Sequence, residues 1–190
     1  MKSLRELREF KLRVQHQNLT AKSFHAFDKI GLIDWEVYLP TIKYNLQRES
    51  VWTFHQKEQL IWSVLIGRDI QKISVISMYV KGDELLQIID GKQRLKTLID
   101  FIDNEYRIHD ENGKSYYYKD LPREYQLAIS YFQLGVNTVY QDIDKPIPDE
   151  DKIEWFNRIN FAGTPQDLTH QLKLKGLLTD ACNLGLSMII

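Results

Sequence analysis

Apolar positions along the chain switch between two periods, and the switches mark the elements. Leu4, Leu7, Phe10 and Val14 fall on one stripe at helical spacing. Arg5, Arg8, Lys11 and Arg13 fill much of the remaining surface, so residues 4–14 are expected to form a basic helix. Phe24, Phe27 and Ile30 continue a helical pattern that Gly31 ends. Between Trp35 and Leu46 the chain turns to extended-type residues, Val37, Leu39, Ile42, Tyr44 and Leu46, punctuated by Pro40. That stretch predicts a first strand or strand pair. Thr53 fits a helix N-cap with Gln56 as its capping-box partner. Leu60, Ile61, Val64 and Leu65 make the buried face of that helix, and Gly67 closes it. Residues 73–80 are apolar on both faces, as a central strand is. Lys81-Gly82-Asp83 is a turn that joins them to residues 85–89 in a hairpin.

The sharpest switch comes next. Leu85, Leu86, Ile88 and Ile89 form an almost continuous apolar run, the pattern of a strand covered on both faces. Leu95, Leu98, Ile99 and Ile102 then recur at i, i+3, i+4 and i+7, the stripe of an amphipathic helix. The change of period falls on Asp90-Gly91, and Asp90, Lys92, Gln93 and Arg94 crowd onto it. A helix start offers unpaired backbone N–H groups and a partial positive charge, which suit an anion. Lys92 and Arg94 add full charges, and Gly91 allows a ligand close to the backbone. A surface turn with solvated charges gives the same pattern. So does an Asp90 that merely caps the next helix, or an Arg94 that pairs with Asp90 or Asp100.

Further on, Asn112-Gly113 is a turn between Tyr106-Arg107-Ile108 and Tyr116-Tyr117-Tyr118, a second hairpin. Its tyrosines suit cross-strand packing, with base stacking as the alternative. Pro122 starts a short helix through Ile129, and residues 135–143 form another strand. The acidic loop 144–151, with Pro146 and Pro148, is a candidate boundary. Residues 153–159 are helical, and Thr164-Pro165-Gln166-Asp167 opens a further helix. The expected class is α+β: a small mixed sheet with helices packed on it and a helical C-terminal portion. The expected division is 1–34 as an N-terminal helical extension, 35–145 as the core and 146–190 as the helical C-terminal portion of the same domain.

Charge narrows the picture. The formal net charge is −1, so no global field draws the chain to DNA, and any nucleic-acid site must be a local patch. Cys182 is the sole cysteine, which excludes a disulfide within the chain and a thiolate metal site. The N-terminus lacks an apolar signal segment, and no run approaches the length of a membrane span, so a cytoplasmic setting and no membrane partner are expected.

Leu46-Gln47-Arg48, Val51-Trp52, Leu65-Ile66-Gly67-Arg68, Ile89-Asp90-Gly91-Lys92-Gln93-Arg94-Leu95 and Phe156-Asn157-Arg158-Ile159-Asn160 with Gly163-Thr164 occur in this order. Together they resemble the N-terminal domain family of GmrSD-type modification-dependent restriction systems. The resemblance runs from about Val37 to about Leu174, and the family's D-G-Q-Q-R signature is its most specific feature. It implies a ParB/sulfiredoxin-like fold and a nucleotide-binding, often NTP-hydrolysing module. Such a module regulates a nuclease directed at modified foreign DNA in anti-phage defence. By position, Asp90, Gly91, Gln93 and Arg94 match the signature. Gln47 and Arg48 match the upstream Q-R that borders the same pocket, and Arg158 and Asn160 match the late F-x-R-x-N segment.

The resemblance thus implies Asp90 and Arg94 as catalytic residues and Asp90 as a ligand of Mg²⁺. The NTP would be held by Gln47, Arg48, Gly91, Lys92, Gln93, Arg94 and Asn160. Phosphoryl transfer needs positioning and charge neutralisation, which Arg94, Arg48 and Lys92 would supply. Asp90 would hold the metal or orient a water, and Gln47 and Gln93 would position base, sugar or water. Lys92 stands where the family has Gln. A lysine donates to phosphate but cannot accept, so specificity or turnover is expected to differ. The His-Asn-His nuclease domain of fused members is absent from these 190 residues, and the five histidines show no metal-ligand spacing. DNA cleavage by this chain alone is therefore not expected. The expected partners are a nucleoside triphosphate, DNA, a nuclease subunit supplied in trans and a second copy of the chain. The alternative is a non-catalytic binding module that acts through a protein or DNA partner. A metal-dependent nuclease on Asp83, Asp90 and Lys92, in the D-x-K form, is less favoured, because Gly91 and the helical stripe end the strand.

Overall fold

The computed structural model describes residues 12–47, 52–80, 82–161 and 176. Most of the expected basic helix over 4–14 and the helix opened by Thr164 lie outside the described residues. The first described element is a strand, β1 (Gln15–Thr20). Helix α1 (Ala21–Lys29) follows at once, with the Thr20 hydroxyl accepting from the Ser23 N–H at 3.0 Å. Gly31 then turns the chain at φ 73°.

Strand β2 (Ile33–Asp34) leads into a small hairpin of β3 (Tyr38–Leu39) and β4 (Tyr44–Asn45). The expected strand pair is therefore present but very short. Val37 and Lys43 adopt positive φ, 51° and 52°, and this breaks the extended run on either side. Helix α2 (Phe54–Leu65) carries the full Thr53/Gln56 capping box. Strands β5 (Ile73–Val80) and β6 (Asp83–Asp90) pair antiparallel as the expected hairpin. Helix α3 (Lys92–Ile102) comes directly after β6. Then come the hairpin β7 (Ile108–His109) and β8 (Ser115–Tyr116), helix α4 (Arg123–Ser130), strand β9 (Gln133–Tyr140) and helix α5 (Asp149–Phe161).

Five strands make one mixed sheet in the order β1-β9-β5-β6-β2. β9 lies parallel to the central β5, and β2 lies parallel to β6. β1 runs antiparallel to β9 on the outer side. Each inner strand feeds two cores. On one face, Phe24, Ile61, Leu95, Leu98 and Phe101 from the helices pack over Ile73, Val75, Leu86, Ile88 and Val136. On the other, Val37, Leu39, Leu46, Ile153, Trp155 and Phe156 cover Ile76, Ile89 and Val139. Ile88 and Ile89 thus point to opposite cores, which is why the sequence there is continuously apolar. Each fully buried side chain of this kind contributes about 1.5–3 kcal/mol.

Candidate functional site

The junction of β6 and α3 is built on Gly91. Its φ is 95°, in the region that favours glycine, and a Cβ there would run into Ile73 Cδ1 of the neighbouring strand. Helix α3 begins with no capping side chain and no carboxylate in its first turn. Asp90 does not cap it. Its Oδ2 instead accepts from Arg94 Nη2 at 2.8 Å, one helical turn on. The same Nη2 donates to the Lys72 carbonyl at 3.2 Å, and Nη1 donates to Gln71 Oε1. Arg94 is only 9% exposed, and its Nε has no partner. The guanidinium therefore ties the end of β6, the first turn of α3 and the approach to β5 together.

Lys92 is buried as well, at 8% exposure. Its ammonium donates to Glu36 Oε1 at 2.7 Å, on the segment between β2 and β3. The stem is covered while the charge reaches a half-exposed carboxylate at the surface. Gln47, just past β4, lies beside that segment, its N–H donating to the Glu36 carbonyl at 3.2 Å. Its side-chain amide donates to the carbonyls of Ile88 at 2.6 Å and Ile89 at 2.7 Å. β2 pairs with β6 only at Leu86 and Gln87, so Gln47 takes over the strand edge where β2 stops. Gln93 Oε1 accepts from the Trp52 N–H at 3.4 Å. Asp90, Gly91, Lys92, Gln93, Arg94 and Gln47 thus meet around one helix start. Arg48 and the side chain of Asn160 lie outside the described residues. Arg158 pairs with Glu154 on its own helix at 2.7 Å.

Residues 27–178 match the family described as the GmrSD restriction endonuclease, N-terminal domain. The chain belongs to that family. No curated protein and no solved structure matches it. A GmrSD N-terminal domain is a restriction-system component, and the match spans the whole helix start just described.

In this GmrSD N-terminal domain a second polar group, unforeseen from the sequence, lies beside the first. Gln87 donates to Asp34 Oδ2 at 2.9 Å and accepts from the Lys152 ammonium at 3.0 Å. Asp34 Oδ1 accepts in turn from the N–H groups of Glu36 at 3.1 Å and Val37 at 2.9 Å. Burial pushes the Lys152 ammonium below the ordinary lysine range, against the pull of Asp149 and Asp34. This chain of contacts links α5 to β6 and to the segment that carries Glu36. Its only sequence signal is Gln87 itself, a lone amide inside an apolar strand. Among the described residues, no group of three His, Cys, Asp or Glu side chains is placed to hold a metal by itself. Nor is any helix among them long and apolar enough to cross a membrane.

Proposed function

We propose that this chain is the nucleotide-binding regulatory module of its restriction system, with the triphosphate on the first turn of α3. The observation that carries this reading is a helix start without a capping side chain, flanked by Lys92 and Arg94, both buried. Such a start offers backbone N–H donors and a partial positive charge to phosphate oxygens. The Lys92 ammonium, held by a carboxylate that is half in water, is the cation a phosphate would compete for. Gly91 supplies the positive-φ turn that lets the helix start there, close against Ile73. Mg²⁺ would be held there by Asp90 and by the nucleotide's own oxygens, its common mode with phosphate ligands, and would neutralise phosphate charge. The mixed sheet, with α1 to α4 on one face and α5 on the other, supports a ParB/sulfiredoxin-like reading of the fold. In this reading the module sits in the cytoplasm, hydrolyses the NTP and passes its state to a nuclease supplied in trans.

One observation favours a second reading, in which the nucleotide is bound without turnover. Asp90 and Arg94 are engaged with each other, so neither stands by as a base or as a cation for the transition state. A thermal-shift panel of the four NTPs, with and without Mg²⁺, tests binding. One NTP is expected to raise the melting temperature, and Lys92→Ala is expected to reduce that rise. If no NTP shifts the parent protein, the nucleotide reading is wrong. Phosphate release by the parent, abolished in Asp90→Asn, separates turnover from binding alone.

A further inference from the structure

At the far end of α3 from the signature lies a cleft of about 260 Å³ between α1 and α4, reached by Ile102, the last residue of α3. Lys22, His25, Arg123, Tyr118, Ser130 and Tyr131 line it, and no carboxylate does. We propose that this cleft is a phosphodiester site, where the protein holds a backbone phosphate of a DNA duplex. The inference is independent of the nucleotide reading above.

The charges point to an anion. Among the described residues the Lys22 ammonium has only neutral partners: the Tyr131 hydroxyl at 3.3 Å and the face of the same ring at 5.3 Å. The Arg123 guanidinium reaches only Gln126 Oε1, at 3.4 Å. Among the described residues neither has a carboxylate to neutralise it. Both keep their full charge for an incoming anion. His25 differs, because its Nε2 is bound to Asp103 at 2.9 Å, and Lys29 holds the same carboxylate oxygen at 2.9 Å. His25 therefore lines the cleft with its Nε2 already engaged by Asp103, which lies behind the wall. Arg123 is also the first residue of α4, whose start carries no side-chain cap; the carboxylate of Glu124 lies in the same turn but not in the lining of the cleft.

Size and exposure choose the ligand. Pockets that enclose a small molecule run to about 300–1,000 Å³, and this cleft is smaller and open to solvent. It has room for a phosphate and little more, so the rest of the ligand must lie outside. Tyr131, 52% exposed, and Leu127, 38% exposed, stand beside it as apolar rim against a sugar. Hydroxyl and cationic donors with an exposed ring describe contact with one phosphate of a strand.

The test is fluorescence anisotropy of a short DNA duplex over a range of salt concentrations. The parent is compared with Lys22→Ala/Arg123→Ala and with the charge-preserving pair Lys22→Arg/Arg123→Lys. The alanine pair is expected to bind about tenfold more weakly or worse. Its salt slope should fall by about 1, because one phosphate of the duplex is no longer neutralised. The charge-preserving pair should retain most of the affinity. The melting temperature and any NTP-induced thermal shift should be unchanged in both pairs, which keeps this result separate from the α3 site. A parent that does not bind duplex overturns the proposal, as does an alanine pair that binds with the parent's affinity and slope. So does displacement of the duplex by inorganic phosphate or a nucleoside monophosphate at matched ionic strength, since the cleft would then take the free anion rather than the strand.

Discussion

The two ends of α3 treat charge in opposite ways. At its first turn, each cation of the signature is spent inside the protein: Arg94 on Asp90, and Lys92 on Glu36. Near its last residue, Lys22 and Arg123 face a cleft and have no carboxylate partner among the described residues. The cations at the first end are buried, and those at the second are exposed. A buried guanidinium without its carboxylate would cost several kcal/mol, whereas an exposed one costs little to leave unpaired. The first end is therefore fixed by folding, and a ligand there must compete with partners already in place. The second end waits with its charge unspent.

This contrast can be broken most severely at Gly91. Gly91→Ala combines a positive φ with a collision at Ile73 and is expected to lose about 3 kcal/mol in urea unfolding. A loss below about 1 kcal/mol would show that the β6–α3 junction yields and is not a fixed platform. Next in size, Arg94→Ala should cost about 2–3 kcal/mol, because it strands Asp90 and frees Gln71 and the Lys72 carbonyl. In a double-mutant cycle, adding Asp90→Asn should recover part of that loss. Strict additivity would mean that the pair is not coupled. The alanine pair at Lys22 and Arg123 is the counterpart and should stay within about 0.5 kcal/mol of the parent.

Glu36→Gln sharpens the comparison by making the first end resemble the second. It should change stability by no more than about 1 kcal/mol while releasing the Lys92 ammonium. On the nucleotide reading, the NTP-induced thermal shift should grow, and a smaller shift would place Glu36 in the site rather than against it. The smallest effect is a pH dependence at Asp103, which ends α3. Burial pushes this carboxyl up, but hydrogen bonds from His25 and Lys29 outweigh that and hold it below the ordinary carboxylate range. Its contribution is therefore present above the ordinary carboxylate value and is lost as pH falls through the lowered one. Acid unfolding of Asp103→Asn should lack that part of the slope. An unchanged slope would mean the pairing is spent in solvent.

Local rules were enough wherever the decisive contact lay within a few residues. The Thr53/Gln56 capping box, the β5–β6 hairpin, the Asn112-Gly113 turn and the glycine junction after Asp90 are all of that kind. β1 was not legible, because Gln15–Thr20 has no apolar alternation and is held by β9, far along the chain. The burial of Lys92 and Arg94 was hidden for a similar reason. Both belong to a recognisable signature, but Glu36 and Gln71, which neutralise or anchor them, belong to no motif. Sequence showed which groups meet at the helix start and offered the Arg94–Asp90 pair as one alternative, but gave no sign of Glu36 or Gln71.

The amide of Gln47 has a consequence for solubility. Beyond Gln87, β6 offers the carbonyls of Ile88 and Ile89 at a sheet edge where β2 has ended. An apolar strand with open backbone acceptors is a template for strand addition by another molecule, the first step of aggregation. Gln47 closes that template with one side chain. The closure forms only once the segment carrying Gln47 docks against β6, so a chain whose β5–β6 hairpin has formed before that docking is the species most exposed to misassembly.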